Sequence, residues 1–242
     1  MRDYDKEFQD TTLRQYAYDF DSVVRQYMMR TLAPFFPRGG KALEIGCFEG
    51  ESTRLIGEHF DDLTVLEASG ELIETARANV REGIAFVHDT IETVEFGPRF
   101  DAIFLVHTLE HLDAPVDALA RIGSWLTPGG RLFLVVPNAQ AASRQIAVRM
   151  GLIETNNSVT EGERIHGHRC TYSLDTLEHD ARSAGLRIDA RGGVMFKPFA
   201  NFQFDKLIEH KIIDQGYLDG CYALGMQYPE LAASIYVVCG RG

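Results

Sequence analysis

The sequence predicts an α/β protein built on a doubly wound, mainly parallel β-sheet with helices on both faces. Three observations lead there. Short apolar runs alternate with helix-patterned stretches from residue 41 to about 136. The runs are apolar throughout instead of at every second residue, as expected of strands covered on both faces. Successive runs also end in glycine or an acid, on the sheet edge where ligands bind in such folds.

The elements follow in order. "FDSVVRQYMMRTLAPF" (20–35) has the spacing of an amphipathic helix, able to cover one side of the sheet or a cleft mouth. "KALEIG" (41–46) reads as a buried strand and "STRLIGEHF" (52–60) as the helix after it. "LTVLEA" (63–68) is a second strand, followed by a helix through "ELIETARANV" (71–80). "IAFVHD" (84–89) and "FDAIFLV" (100–106) are the third and fourth strands, "VDALARIGSWL" (116–126) is a helix, and "GRLFLVVP" (130–137) is the fifth strand. Beyond it come a helix near 140–150, a helix in "SLDTLEHDARSAG" (173–185) and a sixth strand, "LRIDARG" (186–192). A Pro/Phe-rich excursion (194–230) carries no clear pattern, and "SIYVVCG" (234–240) is a seventh strand. No repeat or low-complexity linker divides the 242 residues, so a single domain is expected over 1–242.

The formal charge of −11, with no Lys/Arg block, argues against nucleic acid as a partner. Cys47, Cys170, Cys221 and Cys239 lack C-x-x-C spacing, which favours a reducing, cytoplasmic setting over a disulfide framework. The charged start "MRDYDKEFQD" has no apolar core of a signal peptide, and no apolar run is long enough to span a membrane.

The first strand ends in "LEIGCFEG", where Gly46 and Gly50 permit a tight turn and close approach of a ligand. Glu67 ends the second strand about 20 residues later, where an acid grips ribose hydroxyls in nucleoside-binding folds. Asp89 ends the third. A pyrophosphate is poorly served here: the turn carries Glu44, Glu49 and Glu51 with no lysine or arginine until Arg54, and Phe48 replaces the middle glycine of G-x-G-x-x-G. An adenosine cofactor with a positive centre and no phosphate suits these residues better.

The stretches "ALEIGCFEGEST", "LTVLEASGELIETARAN", "FVHDTIET", "FDAIFLVHTLEHLDAP" and "LTPGGRLFLVVPN" together resemble the class I S-adenosylmethionine-dependent methyltransferases. The resemblance covers roughly residues 35–192 and the last strand. It implies a Rossmann-like, seven-stranded sheet whose last strand is antiparallel, and S-adenosyl-L-methionine as cofactor. It also implies Glu44, Gly46 and Gly50 around the methionine part, with Cys47 and Phe48 of the same turn among the cofactor-binding residues. Glu67 would then meet the ribose, Asp89 with Thr90 the adenine, and His107 the neighbourhood of the methyl group, with Ala68 counted among the cofactor-binding residues. On this reading 1–35 forms a helical lid bearing Tyr4, Tyr16 and Tyr18, 36–138 the cofactor-binding core, and 139–242 the acceptor side.

"HTLEHLDAP" (107–115) spells H-x-x-E-H, the inverted zinc-protease signature. His107 directly follows a strand and Pro115 closes the segment, so the two histidines need not share a helical face, and the protease reading is set aside. Asp113 is expected to cap the helix that follows. A second cluster, "RIHGHRCTY", contains His166, His168, Arg169 and Tyr172. Convergence of His107, His111, His166 and His168 would permit a metal, but methyl transfer needs none, and no metal ion is expected. His107 is the first candidate for a general base, with His168 and His166 behind it. Phe196, Phe199, Phe202 and Phe204 suit either core packing or the arm of a homodimer.

The sequence reading is therefore a methyltransferase acting on an oxygen or nitrogen of a small-molecule acceptor, with neither nucleic acid nor membrane as partner. Its rivals are an NAD(P)-dependent oxidoreductase and a non-catalytic cofactor-binding protein of the same fold.

Overall fold

The apolar runs do form strands, and those strands lie side by side. The computed structural model describes residues 19–242. The tyrosines at 4, 16 and 18 and most of the expected lid lie outside the described residues.

Among the described residues the strands are β1 (Lys41–Ile45), β2 (Asp62–Glu67), β3 (Ala85–His88), β4 (Phe100–Val106), β5 (Leu126–Pro137), β6 (Leu186–Phe196) and β7 (Ala232–Arg241). They form one seven-stranded sheet in the order β3-β2-β1-β4-β5-β7-β6. The pairs from β3 through β5 are parallel, whereas β7 runs antiparallel to both β5 and β6. The antiparallel seventh strand is as expected.

The helices are α1 (Asp19–Leu32), α2 (Glu51–Gly57), α3 (Gly70–Asn79), α4 (Pro115–Ser124), α5 (Ala142–Arg149), α6 (Glu161–Ile165), α7 (Leu174–Ser183), α8 (Asn201–Glu209) and α9 (Gln215–Gln227). Strand side chains alternate between two faces, and each face has its own cover. Leu43, Ile45, Ile103, Leu105, Leu132 and Leu134 pack against Leu119 and Ile122 of α4 and Leu177 of α7. Ala42, Phe104, Phe133 and Val135 pack against Phe20 and Met28 of α1, Ile56 of α2, Phe204 of α8 and Leu218 of α9.

Three departures from the sequence reading have local causes. Helix α1 stops at Leu32 and becomes a 3₁₀ turn at Ala33–Phe35, because Pro34 supplies no N–H and restricts the residue before it. Asp113 does not cap α4: Ala114 is the N-cap, without a side-chain hydrogen bond, and the Asp113 carboxylate lies 3.4 Å from Arg169 Nε.

The third departure is the 194–230 segment, which is regular structure. Strand β6 continues to Phe196, and α8 and α9 follow. Phe204 stacks on Phe20 at 4.0 Å and joins the core, while Phe199 and Phe202 are exposed. Helix α9 lies so close to β6 that a Cβ at Gly225 would fall 2.6 Å from the Phe196 backbone nitrogen. That contact depends on a missing side chain, so hydrophobic periodicity gives no sign of it.

One core position is out of place by composition. Glu44 of β1 has no exposed surface, and neither of its carboxylate oxygens makes a hydrogen bond of good geometry. Burial pushes its carboxyl up to about 8, with the neighbouring Thr53 hydroxyl drawing it back. The folded chain therefore holds this proton more tightly than the unfolded chain, whose glutamates titrate near about 4.3. The stability from this group is complete below the unfolded value and is lost as pH rises toward 8. Glu44→Gln should remove that loss. In denaturant titrations of ligand-free protein the variant should gain on the wild type steadily from about pH 4.5 to about pH 8. Parallel stability profiles would contradict the assignment.

Candidate active site

Strand order brings the carboxyl ends of β3, β2, β1, β4 and β5 into a row, and the amino end of β7 joins them. A cavity of about 470 Å³ runs along this edge, within the size range of small-molecule sites. It is lined by residues from each strand end: Asp89, Glu67, Gly46, His107, Pro137 and Ser234.

The turn after β1 is set by one glycine and one carboxylate. Gly46 has φ +77°, and a Cβ there would lie 2.6 Å from Thr108 Oγ1, so the end of β4 leaves no room for a side chain. Glu67 then fixes the turn to the end of β2. Its Oε2 accepts from the Cys47 N–H at 3.0 Å, and its Oε1 accepts from the Ala68 and Ser69 N–H groups at 2.8 and 3.0 Å. Phe48 adopts φ +48°, a left-handed conformation unusual for a bulky residue, and lines the cavity.

At the end of β3, Asp89 accepts from the Thr90 N–H at 2.8 Å and from the Thr93 hydroxyl. Chiefly the Thr93 hydroxyl holds its carboxyl below the ordinary value. Asp89 and Thr90 both line the cavity, as do Cys47, Phe48, Glu67 and Ala68. Two expected cofactor residues do not. Glu44 lies beneath the turn, within the sheet. Gly50, at φ +90°, is the N-cap of α2 and packs on α3, where its Cβ would meet Val80 and Ala76.

The histidines converge. His107 has φ +53° and its Nε2 is hydrogen-bonded to Ser234 Oγ at 3.1 Å. Desolvation, aided by the cation of Arg25, holds its imidazole well below the ordinary histidine range. His111 ends a 3₁₀ turn (Leu109–His111), so the H-x-x-E-H segment is no α-helix. Its ring lies edge-to-face with that of His168, centroids 4.7 Å apart. Burial lowers His168 to about 4. His107, His111, His166 and His168 all line the same cavity.

The segment carrying His166 and His168 is held by an arginine. Arg144 of α5 donates to the Asn156 carbonyl at 2.6 Å and pairs with Glu163 of α6 at 2.5 Å. Thr160 and Glu163 close a capping box on α6. The His168 N–H donates to the Glu163 carbonyl at 2.9 Å, and the Arg169 N–H to the Glu110 carbonyl at 2.8 Å.

Sequence reasoning missed several lining residues. Asp21 and Arg25 lie one turn apart on α1, a spacing that marks them as one face of a helix. Arg25 pairs with Glu51 at 2.7 Å. Lys197 donates to Asn201 Oδ1 at 2.5 Å, and the Asn201 amide donates to Asp21 Oδ1 at 2.6 Å. Burial raises the Asp21 carboxyl to about 6 and lowers Lys197. Nothing local in the sequence marks Lys197, Asn201 or Ser234, which reach the cavity only through tertiary packing. Glu110, buried at 1 % exposure, was read only as part of the rejected protease motif. Among the described residues, one ligand atom each of Glu110, His111 and His168 lie within 4.8 Å of one another.

These residues fit an adenosyl sulfonium cofactor. Carboxylates stand at the ends of β2 and β3, and Gly46 of the β1 turn lines the cavity with no side chain of its own. A pyrophosphate fits less well. The Arg25 guanidinium is already paired with Glu51 at the start of α2, where a dinucleotide's phosphates would sit.

Residues 16–191, well over half of the chain, match the methyltransferase-domain family. A ubiquinone biosynthesis O-methyltransferase of Xanthomonas axonopodis pv. citri (strain 306) is 26% identical over 170 residues, covering 68% of this chain and 70% of the relative. Among solved structures, an S-adenosylmethionine-dependent methyltransferase from Mesorhizobium loti superposes with a TM-score of 0.64 at 12% identity, covering 90% of this chain and all of the other. One from Thermotoga maritima gives 0.64 at 16% identity, with 96% and 97% covered. At such identities the superpositions speak for the fold alone. The family match replaces the oxidoreductase and non-catalytic alternatives: the chain belongs to the class I S-adenosylmethionine-dependent methyltransferases, and S-adenosylmethionine is its cofactor.

Proposed function

We propose that the chain methylates an oxygen of a small-molecule acceptor held between the cofactor half of the cavity and its histidine wall. The observation that carries this reading is continuity: His107 and His168 line the same cavity as Gly46, Glu67 and Asp89. The relatives named as O-methyltransferases favour oxygen over nitrogen as the attacked atom.

When bound, S-adenosylmethionine supplies an electrophilic sulfonium methyl. The chain's own contribution is geometric and electrostatic. Glu67 is positioned to accept from ribose hydroxyls, since three backbone N–H groups fix its carboxylate. Asp89 and Thr90 stand where the adenine edge would lie. Holding acceptor and methyl in attack geometry is an effect worth roughly 7–11 kcal/mol in well-oriented systems.

Desolvation disfavours the charged form of His107, which leaves one ring nitrogen with a free lone pair. It is therefore able to receive or orient the acceptor's proton, with Ser234 fixing the ring. Asp21, Lys197 and Asn201 form a polar wall on the acceptor side, available to a second polar group of the acceptor.

Two variants test these roles. Glu67→Ala removes charge-assisted hydrogen bonds worth about 1.5–3 kcal/mol, so S-adenosylhomocysteine should bind about ten- to hundredfold more weakly in calorimetry. Unchanged affinity would remove Glu67 from the site. His107→Ala should lower kcat by about 10²-fold or more, the usual scale of proton transfer by a positioned group. The cofactor dissociation constant should stay within about threefold of wild type in that variant. Turnover is read as S-adenosylhomocysteine release across a panel of phenols, aliphatic alcohols and amines. Full activity of His107→Ala on an accepted phenol or alcohol would exclude His107 as the proton acceptor, and turnover confined to amines would overturn the choice of oxygen.

A further inference from the structure

The Glu110 carboxylate is buried, and neither of its oxygens has a hydrogen-bond partner among the described residues. A buried carboxylate so placed is costly unless a cation reaches it. Its surroundings are not apolar. His111 Nε2 lies 4.0 Å from Glu110 Oε1, and the His168 ring packs edge-on against the His111 ring. All three side chains line the main cavity. A ligand sphere of about 2.0–2.2 Å radius places neighbouring donors roughly 3–4 Å apart. The three donor atoms, all within 4.8 Å of one another, are therefore close to closing around one ion.

We propose that Glu110, His111 and His168 form a binding site for one divalent transition-metal ion, with its open positions facing the acceptor half of the cavity. Two imidazoles and one carboxylate suit zinc, manganese, iron(II) or cobalt(II) better than the all-oxygen preference of magnesium or calcium. The supporting groups are already in place. The Glu110 carbonyl accepts from the Arg169 N–H at 2.8 Å, and the His168 N–H donates to the Glu163 carbonyl at 2.9 Å. Arg144 neutralises the nearby Glu163 carboxylate, leaving that of Glu110 for the ion.

This assignment reverses the expectation, drawn from the sequence, that these histidines hold no metal. The "HTLEH" segment contributes its glutamate and second histidine, with His168 arriving from 57 residues later in place of His107. The helix that a zinc protease needs is absent, since a 3₁₀ turn carries Glu110 and His111. The use of such an ion rests on the proposed oxygen acceptor: an ion held there would make a hydroxyl brought to it give up its proton more readily, the proton passing to the His107 imidazole in the same cavity. Binding of the ion does not rest on that reading.

The test is titration of chelator-stripped full-length protein with Co²⁺, read by visible ligand-field absorption and calorimetry. Saturable binding of one Co²⁺ per chain, displaced by Zn²⁺, is the expected result. Glu110→Gln and His168→Gln should each weaken it by more than the roughly 10–100-fold that loss of a mere supporting neighbour costs. Circular dichroism and the affinity for S-adenosylhomocysteine, measured alongside, separate loss of the site from loss of the fold. No saturable Co²⁺ or Zn²⁺ binding by folded wild-type protein would overturn the proposal, as would binding that both substitutions leave intact. Metal binding without turnover on any hydroxyl acceptor would retain the site and reject the acceptor reading instead.

Discussion

The site depends on the reversal of strand order at β1. Chain leaving β1 turns toward β2, whereas the strand on its other side, β4, is entered only after β3. The loops at the carboxyl ends of β1 and β4 therefore part, and a crevice opens between them. Gly46 lets its two walls meet closely. The main chain of the β1 turn approaches Thr108, at the end of β4, so nearly that even a Cβ has no space. The cavity, its carboxylates and its histidines all descend from that arrangement, because each sits at a strand end fixed by the parallel register.

Charge is managed by pairing side chains before any ligand arrives. Glu67 is bound by three N–H groups, Arg25 by Glu51, and Lys197 by an amide that also reaches Asp21. Such groups are oriented in advance, so little reorganisation remains for the reacting state. Among the carboxylates of the described residues, Glu44 and Glu110 are buried with both oxygens lacking a good hydrogen bond. Burial pushes both carboxyls up to about 8, but Glu44 has the Thr53 hydroxyl and the charges of Glu67 and Arg25 around it, whereas Glu110 has His111 Nε2 at 4.0 Å and the His168 ring beyond.

Much of the fold was legible because parallel strands covered on both faces are written as uninterrupted apolar runs, such as "AIFLV" and "LFLVVP". The cofactor side was legible for a related reason: Gly46, Glu67 and Asp89 each close one of those runs. Glu44 stands next to the glycine turn in sequence, yet β1 directs its side chain to the sheet face covered by α1 and α2 and not into the cavity lining. The acceptor side was largely hidden. Lys197, Asn201 and Ser234 belong to elements whose placement depends on the contact of Gly225 with β6 and on the antiparallel insertion of β7. The histidine clusters were visible as letters, but their convergence follows from the hold of Arg144 on the 156–163 segment, which no spacing rule encodes.

The most direct test of the account is hydrogen–deuterium exchange of the full chain with and without S-adenosylhomocysteine. Backbone amides at 46–48, 67–69 and 89–91, and those leaving β4 at 107–111, should gain protection together, because they form one rim along the strand ends. Protection confined to other parts of the molecule, or none at saturating ligand, would mean that the crevice at the strand reversal is not where the cofactor binds.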